Sequence, residues 1–429
     1  MKRIIQKTHP ADIAHLFEHF NEREQRAIFD LVDDSEKAAE VLSEIDKASS
    51  AQLLEGMDTQ RITEILQAMS SDDRAYFISD LPEDLAEEIL TLMAKKQSEQ
   101  VEDLLRYQED TAGRIMTPDF FALPEETSAK EAIEAIQKAS EAEMVFYVYV
   151  TDNRGHLVGV ISLRQLITVP PTKNLKQIMV TDVISVRTDM DQEEVARVAE
   201  RYNILAVPVV DEENKLVGII TVDDIIDVIR EEATEDIMRM AGTHEDEYVY
   251  RDNVFKVSRF RLPWILTNLV GGLITGYLLW IFKVTIKDVL ALVTFIPVIT
   301  AMGGNVGVQS SSIIIRGFAT GMVDFHSLKR FLFREVRVGI IMGMTCGVAV
   351  GLVGYLWHGN STIGLVVGVA MVVAMTIAST MGTIAPAFFK KIKVDPAIAS
   401  GPFVTTANDI TGILVYFGVA TLFLKYLIP

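Results

Sequence analysis

Gly401-Pro402-Phe403-Val404-Thr405-Thr406-Ala407-Asn408-Asp409-Ile410-Thr411-Gly412 sets one carboxylate inside a run that is otherwise apolar, hydroxylic or amide. The run belongs to the last of five long apolar stretches, at about 262–282, 289–315, 338–357, 361–389 and 396–424. Each is long enough to cross a bilayer as a helix. None carries the continuous polar stripe of a soluble amphipathic helix. Asp409 reads as the only ionisable residue well inside a span. An ionised carboxylate there is costly unless it is paired or hydrated, and the spans offer no Lys or Arg to pair with it. A water-filled path for cations is the reading that follows. The second stretch holds Met302-Gly303-Gly304-Asn305-Val306-Gly307-Val308-Gln309-Ser310-Ser311-Ser312. Its glycines, amides and hydroxyls fit either close helix packing or a wall of that path.

The charge is segregated in the same way. The 429 residues carry 40 Lys+Arg against 59 Asp+Glu, a net of −19, with 49% hydrophobic residues. From Leu262 onward there are 11 basic and 5 acidic residues, a net of +6, which leaves −25 on the residues before it. So acidic a half does not offer nucleic acid the basic face it needs. One cysteine, Cys346, excludes a disulfide scaffold, and the apolar content excludes disorder. No phosphate loop or Ser-His-Asp set is present, and the seven histidines read as scattered, so an enzyme is not expected. Basic residues cluster at Arg251–Arg261, at Arg316–Arg337 and at Lys390–Lys393, and are sparse in the alternate loops. The positive-inside rule then puts the N-terminal half in the cytoplasm and the C-terminus outside, in a multi-pass protein of the cell (inner) membrane. The charged Met1–Phe20 does not read as a secretory leader.

Residues 8–105 read as short amphipathic helices with recurring Asp and Ser caps, a stacked all-α superhelix. Gly155-His156-Leu157-Val158-Gly159-Val160-Ile161-Ser162 recurs 59 residues later as Asn214-Lys215-Leu216-Val217-Gly218-Ile219-Ile220-Thr221. Upstream, Met116-Thr117-Pro118-Asp119 echoes Met179-Val180-Thr181-Asp182. Each copy reads strand, helix, two strands, helix. This duplication resembles a CBS-domain pair, an α/β sensor module that often binds adenine nucleotides. Such a resemblance implies ATP, with Arg164, Thr221 and Asp224 as its contacts. The acid three residues after Ser or Thr is kept in Thr221…Asp224 and replaced by Gln165 in Ser162…Gln165. Beyond the pair, Asp224, Asp227, Glu231 and Glu235 share one helix face, which is either solvated or bridged by cations to another acidic surface.

In this order the parts resemble the MgtE-type magnesium channel family. The carrying motifs are Arg261-Leu262-Pro263-Trp264, Met302-Gly303-Gly304-Asn305 with Gln309-Ser310, and Val394-Asp395-Pro396-Ala397 through Gly401-Pro402 to Asp409. Tyr107-Gln108-Glu109-Asp110-Thr111-Ala112-Gly113 before Met116-Thr117 is similar too. The expected fold is multi-domain: a cytoplasmic all-α domain (1–114), two CBS motifs (115–175 and 176–233), a connecting helix (234–260) and a polytopic α-helical membrane domain of five transmembrane helices (261–429). The resemblance implies a homodimeric Mg²⁺ pore with Asp409 as its acid, Asn305 and Thr405 around it, and Asp395 at the cytoplasmic mouth. It also implies regulatory Mg²⁺ at Asp72, Asp191, Glu193, Asp224, Asp227, Glu232 and Glu235, which favours the closed state. A further acid of the family falls on Asn203 here. The alternative reading is a proton- or sodium-coupled carrier of Mg²⁺, Mn²⁺ or Co²⁺.

Overall fold

The computed structural model describes residues 2–427 apart from 18, 46, 55, 139–145, 245, 246, 248–253, 284, 286–288 and 400. The chain forms two compact units, Met1–Glu232 and Ala233–Pro429.

The first unit opens with short helices: α1 (Lys2–Ile5), α2 (Pro10–Phe17), α3 (Glu22–Phe29), α4 (Ser35–Glu44), α5 (Lys47–Leu54), α6 (Thr59–Gln67), α7 (Ser71–Ser79), α8 (Glu83–Leu92), α9 (Lys95–Leu105) and α10 (Ala112–Ile115). Polar caps start several of them. Asn21 and Glu24 form a capping box on α3, Asp34 caps α4, and Ser70 caps α7. Alternate helices touch, α2 with α4, α4 with α6, α6 with α8 and α7 with α9, the packing of a superhelix. Ile13, Leu42, Ile65, Leu66 and Ile78 are sealed in the resulting core.

Two matching sheets follow. β1 (Ala122–Pro124) is parallel to β2 (Tyr147–Thr151), which is antiparallel to β3 (Leu157–Ser162). β4 (Val186–Arg187) is parallel to β5 (Ala206–Val210), which is antiparallel to β6 (Leu216–Thr221). The register repeats with the sequence: Tyr147 faces Ser162 as Ala206 faces Thr221, and a bulge falls at Val150/Thr151 and at Val209/Val210. The two copies are stitched through their Met-Thr echoes. Thr117 bridges Ile219, and Val180 bridges Val160. Gly218 and Gly159 lie where a Cβ would strike Met116 and Met179, so the Leu-Val-Gly step of each repeat is a seat for a methionine. Helices α11 (Ala129–Ile136), α12 (Leu163–Thr168) and α13 (Gln192–Tyr202) complete the pair, and α14 (Val222–Ala241) leaves it.

The connecting helix expected over 234–260 is shorter than that. It is the end of α14, which stops at Ala241 because Gly242 takes the left-handed conformation, φ 79°. Of the remainder of the expected segment, 245, 246 and 248–253 lie outside the described residues, and 254–260 begin the next long helix, Val254–Ile281.

Among the described residues, five helices are long and apolar enough to span a membrane. They are α15 (Val254–Ile281), α16 (Ile296–Ala319, entered by a 3₁₀ turn at Leu290–Phe295), α17 (Leu328–His358), α18 (Ser361–Lys391) and α19 (Gly401–Leu422); a short α20 (Leu424–Leu427) follows. The expected spans are all present, with shifted ends. The third begins ten residues earlier than expected, because its first turns are charged yet helical. The most extensive pairing is α17 on α18. Gly339, Gly343, Gly347 and Gly351, one every fourth residue, bring α17 so near that a Cβ at Gly343 would stand 2.8 Å from the Val372 Cα. α15 is the least enclosed, with Gly271 its buried residue against Thr406 of α19.

Candidate ion pathway and acidic clusters

α16 and α19 cross on a glycine-lined seam. Gly303, Gly304 and Gly307 of α16 face α19: a Cβ at Gly304 would meet the Thr405 methyl at 3.4 Å, and one at Gly307 would strike the Asn408 amide. With the glycines turned inward, Asn305 and Gln309 fall on the exposed side of α16. On α19, Thr405 and Asp409, four apart, are half-buried on one side, and the Thr405 hydroxyl donates to the Gly401 carbonyl at 2.8 Å. Thr406 is committed elsewhere, donating to Asn268 of α15 at 2.9 Å. Asn408 is the unexpected residue. It is 1% exposed, and neither side-chain polar atom has a partner among the described residues.

Asp409 is not alone as a carboxylate within a span, which corrects the sequence reading. Glu335 of α17 is 3% exposed. It accepts from Ser310 of α16 at 3.0 Å and from its neighbour Arg334 at 3.0 Å, and the Ser379 hydroxyl of α18 donates to its backbone carbonyl at 3.0 Å. Three helices thus meet on one acid. It escaped notice because Phe333-Arg334-Glu335-Val336-Arg337 reads as a charged loop, not as the start of a helix.

The end of α14 meets the start of α19. Gly401, at φ 35°, leaves room for the Met240 carbonyl, and Gly242 packs on Pro402 and Trp264. Arg239 pairs with both Glu235 and Asp395, so two of the expected metal ligands share a guanidinium. Asp236, one turn away, has its carboxyl raised by burial, with Asp395 adding to the effect.

In the first unit the structure brings the expected acids into two groups. In the first, burial holds the Asp72 carboxyl up at about 6, with Asp73 adding repulsion. Asp72 is 8% exposed and its Oδ1 has no partner among the described residues. Asp224 is raised well above the carboxylate range by burial first and by Asp72 second. Asp227, at the margin, is raised by burial while Arg230 opposes the shift. In the second, burial pushes Glu232 up to about 7; Gln192, donating at 2.7 Å, opposes this, and Glu193 and Asp191 add to it. Asp191 also caps α13, accepting from the Glu193 amide at 3.0 Å. Among the described residues no three His, Cys, Asp or Glu stand close enough to cage a bare metal ion.

Two of the three residues expected to contact an adenine nucleotide are hydrogen-bonded to each other. Thr221 donates to Asp224 from its hydroxyl at 2.6 Å and from its amide at 3.2 Å, whereas Arg164 is exposed on α12. The Gln165 amide donates to the Ile178 carbonyl at 2.6 Å. The histidines are not all scattered as expected: His15 and His19, four apart, pack edge to face at 5.6 Å.

Comparison with known proteins agrees along the whole chain. Residues 8–110 match the MgtE intracellular N domain, 112–171 and 175–231 match CBS domains, and 296–419 match MgtE, a divalent cation transporter family. The magnesium transporter MgtE of Bacillus subtilis (strain 168) is 37% identical over 429 residues, covering 99% of this chain and 94% of its own. This chain belongs to the MgtE family. The MgtE of Thermus thermophilus is 36% identical over 440 residues, again 99% of this chain. The crystal structure of the cytosolic domain of the Mg²⁺ channel MgtE in complex with ATP covers 53% of this chain and 93% of that one, at 38% identity and a TM-score of 0.50. These MgtE relatives are transporters, not enzymes, and the chain's CBS pair and five candidate spans are those of a multi-pass membrane protein.

Proposed function

We propose that this chain is a homodimeric Mg²⁺ channel closed by intracellular Mg²⁺. The observation that carries the reading is the crowding of carboxyls in the first unit: Asp72 against Asp224, and Glu232 against Asp191 and Glu193, with Asp72, Asp224 and Glu232 raised by burial and then by like charge. Carboxylates crowded in this way repel unless protons or cations stand between them. The unpartnered Asp72 Oδ1 is a ready acceptor for a water of a hydrated Mg²⁺.

The pore acid is Asp409, with Thr405 beside it and Asn305 on the exposed face of α16. Two copies would bring two Asp409 carboxylates to the axis, a strong site for a hard, hydrated divalent ion. The valve is α14. Its far end sits on Gly401–Pro402, where α19 begins, and its near end carries Asp224, Asp227, Glu232 and Glu235. Mg²⁺ at the acidic groups fixes α14 and so holds the mouth at Asp395 shut. Binding must favour the closed state differentially for this to work. The orientation with the acidic half in the cytoplasm follows from the basic loops. ATP, seen on the relative's cytosolic domain, would reach this chain through Arg164, Thr221 and Asp224, the last of which it would share with Mg²⁺.

Two measurements test the reading. Asp409→Ala, reconstituted in liposomes, is expected to lose Mg²⁺ uptake while keeping the size of the assembled protein; normal uptake by that variant would remove Asp409 from the pore. Mg²⁺ titrated onto the purified full chain is expected to protect residues around α14 from protease in a steep, saturable manner, and protease sensitivity unmoved by Mg²⁺ would remove the sensor.

A further inference from the structure

We infer that a basic groove at the start of α17 binds the headgroup of an anionic phospholipid. The groove, about 630 Å³, is lined by Asp324, His326, Lys329, Arg330, Phe333 and Arg337. Arg330, Phe333 and Arg337 are spaced three and four apart and so share one face of the helix, with Lys329 at its edge. All four are exposed, Phe333 at 61%.

What singles these cations out is that no carboxylate neutralises them among the described residues: Arg337 donates only to the uncharged Phe333 carbonyl, at 3.3 Å. Arg334, on the next face, pairs with Glu335 and lies over the Phe331 ring at 4.2 Å. Lys390 lies over Phe318 at 4.6 Å, and the charge of Arg316 acts on the Asp236 carboxyl. No carboxylate ion-pairs with Lys329, Arg330 or Arg337 among the described residues. The acid in the groove, Asp324, is turned to its own loop, accepting from the Ser327 amide at 2.6 Å. The groove therefore keeps an excess of positive charge: three cations against one carboxylate.

Three occupants have the charge to fill it: a lipid phosphate, free phosphate, or an acidic surface of the chain itself. The apolar surroundings decide for lipid. Phe333, with Phe325 at 48% and Met322 at 82% exposure, lies at the same end of a membrane-spanning helix. Aromatic and thioether groups beside unpaired cations suit the level of glycerol and headgroup, where the phosphate and the first acyl carbons are met together. Arg337, more than two turns into the helix, must reach back toward that interface in any case. A free anion or an acidic protein face would leave the exposed rings in water.

The test is native mass spectrometry of the full chain in mixed micelles, titrated with phosphatidylglycerol against phosphatidylcholine. Wild type is expected to retain phosphatidylglycerol selectively, and each of Lys329→Gln, Arg330→Gln and Arg337→Gln to weaken it about fivefold. The control pair Lys391→Gln and Lys393→Gln, which line no part of the groove, is expected to change retention less than twofold. Equal retention of the two lipids, or a triple variant that keeps the preference, overturns the proposal. Displacement of the lipid by excess inorganic phosphate would show a free-anion site instead. A photo-crosslinker at Phe333 that captures residues 1–232 rather than lipid would assign the groove to the chain's own acidic half. If the triple variant does not fold, the single substitutions carry the same comparison.

Discussion

Glu335 shows how a membrane domain holds a carboxyl in its interior. An acid 3% exposed in a span is tolerable only with donors close by, and Ser310 and Arg334 supply them. Ser379 ties α18 to the same residue through its carbonyl, so the site joins α16, α17 and α18. Glu335→Ala is expected to lower the stability of the purified protein by about 2–3 kcal/mol, the scale of lost hydrogen bonds to a charged group. Glu335→Gln, which keeps the serine contact, should recover most of that. Thermal unfolding in detergent compares the three; equal midpoints for Ala and wild type would make the site ornamental. Asp409 was legible from sequence because it interrupts a long apolar run. Glu335 was not, because its neighbours Arg334 and Arg337 resemble a loop until the helix is seen to start at Leu328. Asn408 was hidden for a different reason: sequence spacing alone cannot say which of two adjacent polar residues on a helix turns into the seam.

At the scale of elements, glycine decides where the membrane helices approach. The four-residue stripe Gly339, Gly343, Gly347, Gly351 gives α17 a flat face against α18, and a backbone atom is the nearest neighbour that each glycine meets there. A side chain at Gly343 has no flexible neighbour to displace, since Val372 Cα stands at 2.8 Å from its Cβ position. Gly343→Leu is therefore expected to separate the two helices and cost about 3 kcal/mol or more, read as lost monodisperse protein in size-exclusion chromatography. Gly276, with open space around it, is the control, and Gly276→Leu should be tolerated. Helices and spans were legible as periodicity and length. Their ends were less so, because ends are set by local contacts: α14 stops at Gly242, not near 260, once that glycine takes a positive φ against Pro402 and Trp264. The repeat behind the CBS pair was legible, since a duplicated motif fixes its own register, and the 59-residue offset returns in the strand pairing of both sheets.

For the whole molecule, the net of −19 divides into an acidic N-terminal part and a mildly basic membrane part, and on the proposed Mg²⁺ valve protons should imitate Mg²⁺. Asp72 rises from an ordinary 3.8 to about 6 in the folded unit, and Glu232 from 4.5 to about 7. A carboxyl raised in this way binds its proton more tightly in the packed state than in the loosened one. Packing is then fully favoured below the ordinary values, and that stability is lost as pH rises through about 6 and about 7. Above that window both acids are ionised, and on the proposed valve a cation at each of the two groups restores the arrangement. Without Mg²⁺, the protease resistance of residues 1–232 is expected to rise as pH falls from about 8 to about 5.5, and the added protection from Mg²⁺ to shrink over the same range. Asp72→Asn, which removes one of the repelling charges, should give part of that resistance at pH 8 with no Mg²⁺ present. Resistance that stays flat with pH in wild type, while Mg²⁺ still protects, would place the sensing cations on acids other than Asp72 and Glu232.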